Sequence, residues 1–138
     1  MSAPFSGGCR CGEQLYTCSV EPLNSLYCHC RDCQFASGGG FSTLVVAPKQ
    51  TVEFNRGELG SYAVQGESGA QVVRLFCSKC GTQMFSEPEV MPALIIIKAA
   101  TLDDPSWLRP TAHIYTESAQ PWALAEDGLP RHAKFPPQ

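Results

Sequence analysis

The chain has 138 residues, 10 basic and 13 acidic, and a formal net charge of −3. At about 150 residues per domain that is one domain, large enough for a real core, and 43% apolar against 17% charged residues argues against a disordered chain. The mild acidity argues against a nucleic-acid binder that works by phosphate neutralisation, and the longest apolar run, Val90 to Ile97, contains Pro92 and falls well short of the roughly 20 residues of a membrane span.

The opening segment, Met1-Ser2-Ala3-Pro4-Phe5, has neither the basic region nor the apolar stretch of a signal peptide, so a reducing cytoplasmic setting is expected. Short β-branched or aromatic runs then dominate. They predict strands at Gln14 to Val20, Phe41 to Ala47, Val52 to Phe54, Ser61 to Val64, Val72 to Phe76, Gln83 to Phe85, Ala93 to Lys98 and His113 to Thr116. Turn residues such as Asn55-Arg56-Gly57 and Gln65 to Gly69 separate them. Arg31 to Ser37 has room for one or two helical turns before Gly38-Gly39-Gly40 stops it, and Asp103-Asp104-Pro105 suggests the start of a second short helix. With 12 glycines and 11 prolines spread evenly, no stretch reads as a linker. The expectation is a mainly β fold of several small sheets held together by metal staples.

Eight cysteines supply the staples. In a reducing compartment their spacing favours metal over disulfides. Seven are grouped, as Cys9-x-Cys11, Cys28-x-Cys30-x-x-Cys33 and Cys77-x-x-Cys80, while Cys18 stands alone. Structural zinc takes four ligands, whereas catalytic zinc takes three and keeps a position open. Seven therefore divide into four and three. Cys9 and Cys11 are two apart, which points both sulfurs to one side of an extended backbone, and Cys77 to Gly81 reads as a metal-binding knuckle. Joining the two pairs would clamp the start of the chain to its middle and leave Cys28, Cys30 and Cys33 around an open site. Spacing alone also allows one four-cysteine ribbon from Cys30, Cys33, Cys77 and Cys80, with Cys9, Cys11 and Cys28 as thiols.

Three segments carry a resemblance. Gly7-Gly8-Cys9-Arg10-Cys11-Gly12, Cys28-His29-Cys30-Arg31-Asp32-Cys33 with Ser37-Gly38, and Phe76-Cys77-Ser78-Lys79-Cys80-Gly81-Thr82 occur in one order. Thr101-Leu102-Asp103-Asp104-Pro105, His113-Ile114-Tyr115 and Trp122 follow. Together they resemble the glutathione-dependent formaldehyde-activating enzyme family, which includes centromere protein V-like proteins, over residues 7–122. The resemblance implies a single zinc-binding domain over residues 1–138 with an Mss4-like fold of small coiled β-sheets. It also implies two zinc ions per chain, a structural one on Cys9, Cys11, Cys77 and Cys80 and a catalytic one on Cys28, Cys30 and Cys33. Ala99-Ala100 departs from the family pattern, which commonly has glycine there, and bears on a local turn rather than on the ligands.

The remaining residues have plainer readings. Cys18 is expected to be a buried apolar residue. His29 lies between two ligands and can be read as a ligand or an acid/base, although an intervening side chain more often points away. His113 reads as a strand residue with a satisfied ring, His132 as part of the tail, and the three glycines as a turn without the Lys-Ser/Thr ending of a phosphate loop. Asp103 and Asp104 read as turn or helix caps, Trp107 and Trp122 as core or rim aromatics, and Arg31 and Lys79 as offsets to thiolate charge.

The resemblance implies a carbon–sulfur lyase that forms or cleaves S-(hydroxymethyl)glutathione, with a small glutathione-derived thiol adduct as its partner and neither nucleic acid nor membrane. Two other readings are a zinc-stabilised interaction module and a thiol redox or metal-handling protein using an exposed Cys28-Cys30-Cys33 loop.

Overall fold

The computed structural model describes residues 3–135. Met1 and Ser2, part of the opening segment read above, and residues 136–138 lie outside the described residues. In chain order the strands are β1 (Phe5–Gly8), β2 (Leu15–Cys18), β3 (Asn24–Cys28), β4 (Ser42–Pro48) and β5 (Val52–Phe54). They continue with β6 (Leu59–Gln65), β7 (Gln71–Cys77), β8 (Gln83–Pro88), β9 (Leu94–Lys98) and β10 (His113–Ile114), and the helix α1 (Arg31–Ser37) lies between β3 and β4. Each strand expected from the sequence forms, with ends moved by a few residues. The fold is mainly β.

Two strands were not anticipated. β1 carries two glycines and β3 opens on Asn-Ser, both poor strand formers in isolation. Pairing decides them. Phe5 to Gly8 runs antiparallel to Leu15 to Cys18, and β3 is held between β4 and β10. Gly7 is required there, because a Cβ would sit 2.2 Å from the Thr101 carbonyl oxygen and 2.3 Å from the Tyr16 hydroxyl.

The strands form a three-stranded sheet, in the order β1-β2-β5, and a seven-stranded sheet, in the order β10-β3-β4-β9-β8-β7-β6. Strand alternation gives the large sheet two different faces. On one, Val45, Ala47, Leu75, Phe85, Ile95 and Ile97 pack with Phe5, Tyr16, Cys18 and Val52 of the small sheet. Phe85 anchors this core, with its ring 4.4 Å from Phe54 and 5.2 Å from Tyr16. Full burial of Leu75, Phe85, Ile95 and Ile97 stabilises by about 1.5–3 kcal/mol each. On the other face the register lines up Arg74, Ser86 and Ile96, then Lys98, Leu44 and Leu26, then Cys28 and Ile114. That face builds the site.

α1 forms where the sequence placed it and stops at Gly38, whose φ of 73° and N–H to the Gln34 carbonyl close the last turn. No helix begins at Asp103. The Asp104 carboxylate accepts from the Ser106 N–H (3.0 Å) and hydroxyl (2.6 Å), and this side-chain bonding holds a turn instead. Ala99 to Thr101 makes a short 3₁₀ turn, with no positive φ at either alanine, so glycine is not needed there. Among the described residues no helix is long and apolar enough to cross a membrane.

Candidate functional site

The seven grouped cysteines gather into two clusters, in each of which all sulfurs lie within 4.8 Å of one another. The first joins Cys9, Cys11, Cys77 and Cys80. Cys9 follows β1, Cys77 ends β7, and each begins a tight turn. The Gly12 N–H donates to the Cys9 carbonyl (3.0 Å) and the Gly81 N–H to that of Cys77 (2.8 Å). Gly12 and Gly81 have φ of 80° and 81°, and a Cβ on either would meet nothing within 4 Å, so backbone conformation rather than space selects glycine at both. Backbone N–H groups already point at the sulfurs, from Gln14 to Cys9 at 3.3 Å and from Cys80 to Cys77 at 3.5 Å. The Thr82 hydroxyl and N–H pull the Cys80 thiol down to about 5. Four sulfurs in a tight group with backbone amides aimed at them could hold a metal ion.

The second cluster is Cys28, Cys30 and Cys33, all buried. Cys28 ends β3 and Cys33 sits in the first turn of α1. Cys30 is the helix cap, its sulfur accepting from the Cys33 N–H at 3.3 Å. Hydrogen bonds to Cys30 and Cys33 push Cys28 up, whereas those from Cys28 and Cys30 hold Cys33 well below the ordinary thiol value despite burial. The charges of Lys98 and Arg74 add to the lowering. Three crowded thiols that hold negative charge among cations fit a metal cation with one position left for another ligand. The sequence treated this loop as exposed in one reading. It is buried because Cys28 and Ile114 pair on the inner face and Leu26 and Leu44 pack beneath.

Access is through a cavity of about 100 Å³. Its lining includes the three cysteines, the apolar Leu44, Val72, Ile96 and Ile114, and the buried cations Arg74 and Lys98. Tyr115, with a left-handed φ of 54°, and the loop from Gly66 to Ala70 also border it. Glu67 holds that loop against α1, accepting from the Arg31 N–H at 2.9 Å and from the Ser118 hydroxyl. Sequence reasoning missed Lys98, Arg74, Glu67 and this role of Tyr115. The available signal was a charged residue at alternate positions with apolar ones in β7 and β9.

Arg31 and Lys79 were expected to offset thiolate charge, each within its own cysteine motif, and both have other partners. The Arg31 guanidinium bonds Gln34 and stacks over Phe35, and Lys79 reaches Glu13 at 3.7 Å. Lys98 and Arg74 take that place. Cys18 is fully buried and apart from both clusters, its sulfur 3.4 Å from the Val20 carbonyl. His29 does not line the cavity. Its Nε2 lies 2.8 Å from His113 Nδ1, and His113 Nε2 lies 2.8 Å from Asp127 on the side of β3 away from Cys28. Burial and the neighbouring His113 keep its pKa below the usual histidine value. Trp107 packs edge-on against Phe5 at 5.4 Å, while Trp122 is exposed. His132 bonds along β10 through its backbone.

A family model described as glutathione-dependent formaldehyde-activating enzyme matches residues 4–118. Among solved structures, a crystal structure of a Rhodobacter sphaeroides protein is similar, at 20% identity and a TM-score of 0.57 over 91% of this chain and 98% of that one. That likeness concerns the fold alone. No curated protein matches the chain.

Proposed function

Because the chain belongs to the glutathione-dependent formaldehyde-activating enzyme family, whose fold is Mss4-like, we propose that it is a carbon–sulfur lyase with two zinc ions in one domain. Its reaction is the joining of glutathione, or a related thiol, to formaldehyde, and the reverse. Cys9, Cys11, Cys77 and Cys80 would hold the structural ion, and Cys28, Cys30 and Cys33 the catalytic one. The observation that carries the reading is the buried cysteine trio in the lining of a small, largely apolar cavity.

Zinc held by three thiolates supplies Lewis acidity toward an aldehyde oxygen, or keeps a substrate thiol ionised. The chain's own residues do the rest. In the forward direction a carbon–sulfur bond forms, the carbonyl π pair moves to oxygen, and the thiol proton ends on that oxygen. Leu44, Val72, Ile96 and Ile114 exclude water and bring thiol and aldehyde together, so proximity is a large part of the gain. Lys98 and Arg74 favour negative charge on the reacting sulfur or oxygen. The reduced, closely spaced thiols suit a cytoplasmic setting.

Exchange spectroscopy on a glutathione–formaldehyde mixture tests the proposal. The protein is expected to accelerate interconversion of free and adducted glutathione. Exchange that stays at the uncatalysed rate for glutathione and several other thiols would overturn the lyase reading.

A further inference from the structure

Two cations inside the cavity outnumber what the cysteine trio requires. Lys98 Nζ is buried with no hydrogen-bond partner among the described residues, and Lys98 as a whole is 7% exposed. Arg74, 4% exposed, donates from one nitrogen to the Ser86 hydroxyl at 3.1 Å. A buried ammonium whose hydrogens are all unbonded is costly even with thiolates nearby, so a fold keeps one where an acceptor will meet it. Three thiolates with a divalent ion leave a single negative charge. Two basic side chains, Lys98 and Arg74, lie in the same cavity lining. The lining carboxylates, Asp32 and Glu67, are half-buried and exposed, and Glu67 is engaged by Arg31 and Ser118. They do not occupy Lys98.

The register explains why these two side chains share one lining. Arg74 on β7 stands in one register row with Ser86 and Ile96, and Lys98 on β9 projects from the same face two residues beyond Ile96, in the next row. Most of the lining around them is apolar, which strengthens any ion contact made inside.

We propose that Lys98, supported by Arg74, forms an anion subsite beside the cysteine trio that takes one negatively charged oxygen of the thiol substrate. This rests on the reading of the cavity as the place where a thiol adduct binds. The oxygen belongs either to a carboxylate carried by the thiol or to the former aldehyde oxygen as it gains charge. A cavity of about 100 Å³ admits only the reacting end of a larger thiol, so the subsite selects for charge close to sulfur.

The test uses zinc-loaded protein and two thiols of similar size, mercaptoacetate and 2-mercaptoethanol, with binding followed by calorimetry and turnover by exchange spectroscopy. If the oxygen is a carboxylate, wild-type protein binds mercaptoacetate at least tenfold more tightly, and Lys98→Met removes that preference while Lys98→Arg retains part of it. If it is the former aldehyde oxygen, binding of both thiols is unchanged and Lys98→Met lowers kcat at least tenfold for both, again with partial rescue by Lys98→Arg. Equal wild-type affinities together with an unaltered kcat in Lys98→Met overturn the subsite. So does loss of one zinc from Lys98→Met, which would make the lysine a counter-charge for the thiolates alone. Should Lys98→Met fail to fold, the wild-type affinity ratio and the kcat of Lys98→Arg decide: no preference with wild-type turnover overturns the subsite. A protein that accelerates exchange with no thiol loses the lyase reading, while the affinity ratio still judges the subsite.

Discussion

The two cysteine clusters set the same atoms in different surroundings. The cluster of Cys9, Cys11, Cys77 and Cys80 sits where two knuckles meet, with Cys11 and Cys80 exposed and backbone amides directed at the sulfurs. Its position ties β1, in the small sheet, to β7, in the large one. The cluster of Cys28, Cys30 and Cys33 comes from one short segment, is buried throughout, and shares a cavity lining with two cations. Sequence separation accounts for the contrast. Ligands far apart in the chain close a large loop, whereas ligands within a single turn restrain almost none, so only the first cluster has much to contribute to folding. The second leaves the folding of distant segments largely untouched.

The strongest way to break this comparison is to remove a ligand from each side. Apparent binding energies of structural zinc run to about 10–16 kcal/mol, as large as the whole stability of a typical domain. Cys77→Ser is therefore expected to be unfolded or insoluble. Wild-type melting with full metal content in that variant would refute the structural assignment.

Cys33→Ser should behave differently. Native mass spectrometry is expected to show two zinc ions in the wild type and one in this variant, with the fold retained and thiol–aldehyde exchange lost. Two ions with full turnover in Cys33→Ser would mean that the open site lies elsewhere.

The smallest effect is expected away from both clusters. Glu87 on β8 meets Lys49 at 2.9 Å and Arg56 at 2.6 Å, residues that flank β5, and so links the two sheets. Burial alone would push its carboxyl up, but hydrogen bonds and charge from Arg56 and Lys49 outweigh this and hold it below the ordinary value. The stabilisation is present above the unfolded-state pKa and is lost as pH falls through the lower folded-state one. Glu87→Gln should cost about 1–2 kcal/mol near neutral pH, and the difference should shrink in acid while zinc content at neutral pH stays at two. Melting curves of the two proteins that differ by a constant amount across that pH range would show the link to be unimportant.

Much of this molecule was legible in its residues. β-branched runs between turn residues marked eight strands, because alternation along a strand is a local property that any packing partner can use. Arg31 to Ser37 ended at Gly38 because a left-handed residue closes a helix wherever it occurs. Asp103 misled because a short carboxylate serves a turn as well as a helix, and which one wins depends on the neighbours it bonds. β1 and β3 were hidden for a related reason. Their residues have little strand preference, and partners elsewhere in the chain supply it.

The site divides along the same line. Cysteine spacing by itself marked groups able to hold a metal and where they lie, since a sulfur two or three residues from another can reach a common point through local turns. It left open whether Cys77 and Cys80 meet Cys9 and Cys11 or Cys30 and Cys33. Only the tertiary structure decided this, because β1 reaches β7 through the stacking of two sheets and not through any nearby residue. The same holds for Lys98 and Arg74. Alone, each is a charge in an apolar strand. Strand order and register place both on one face with Cys28, while turning His29 to the other side, and long-range pairing of that kind leaves no mark on local sequence.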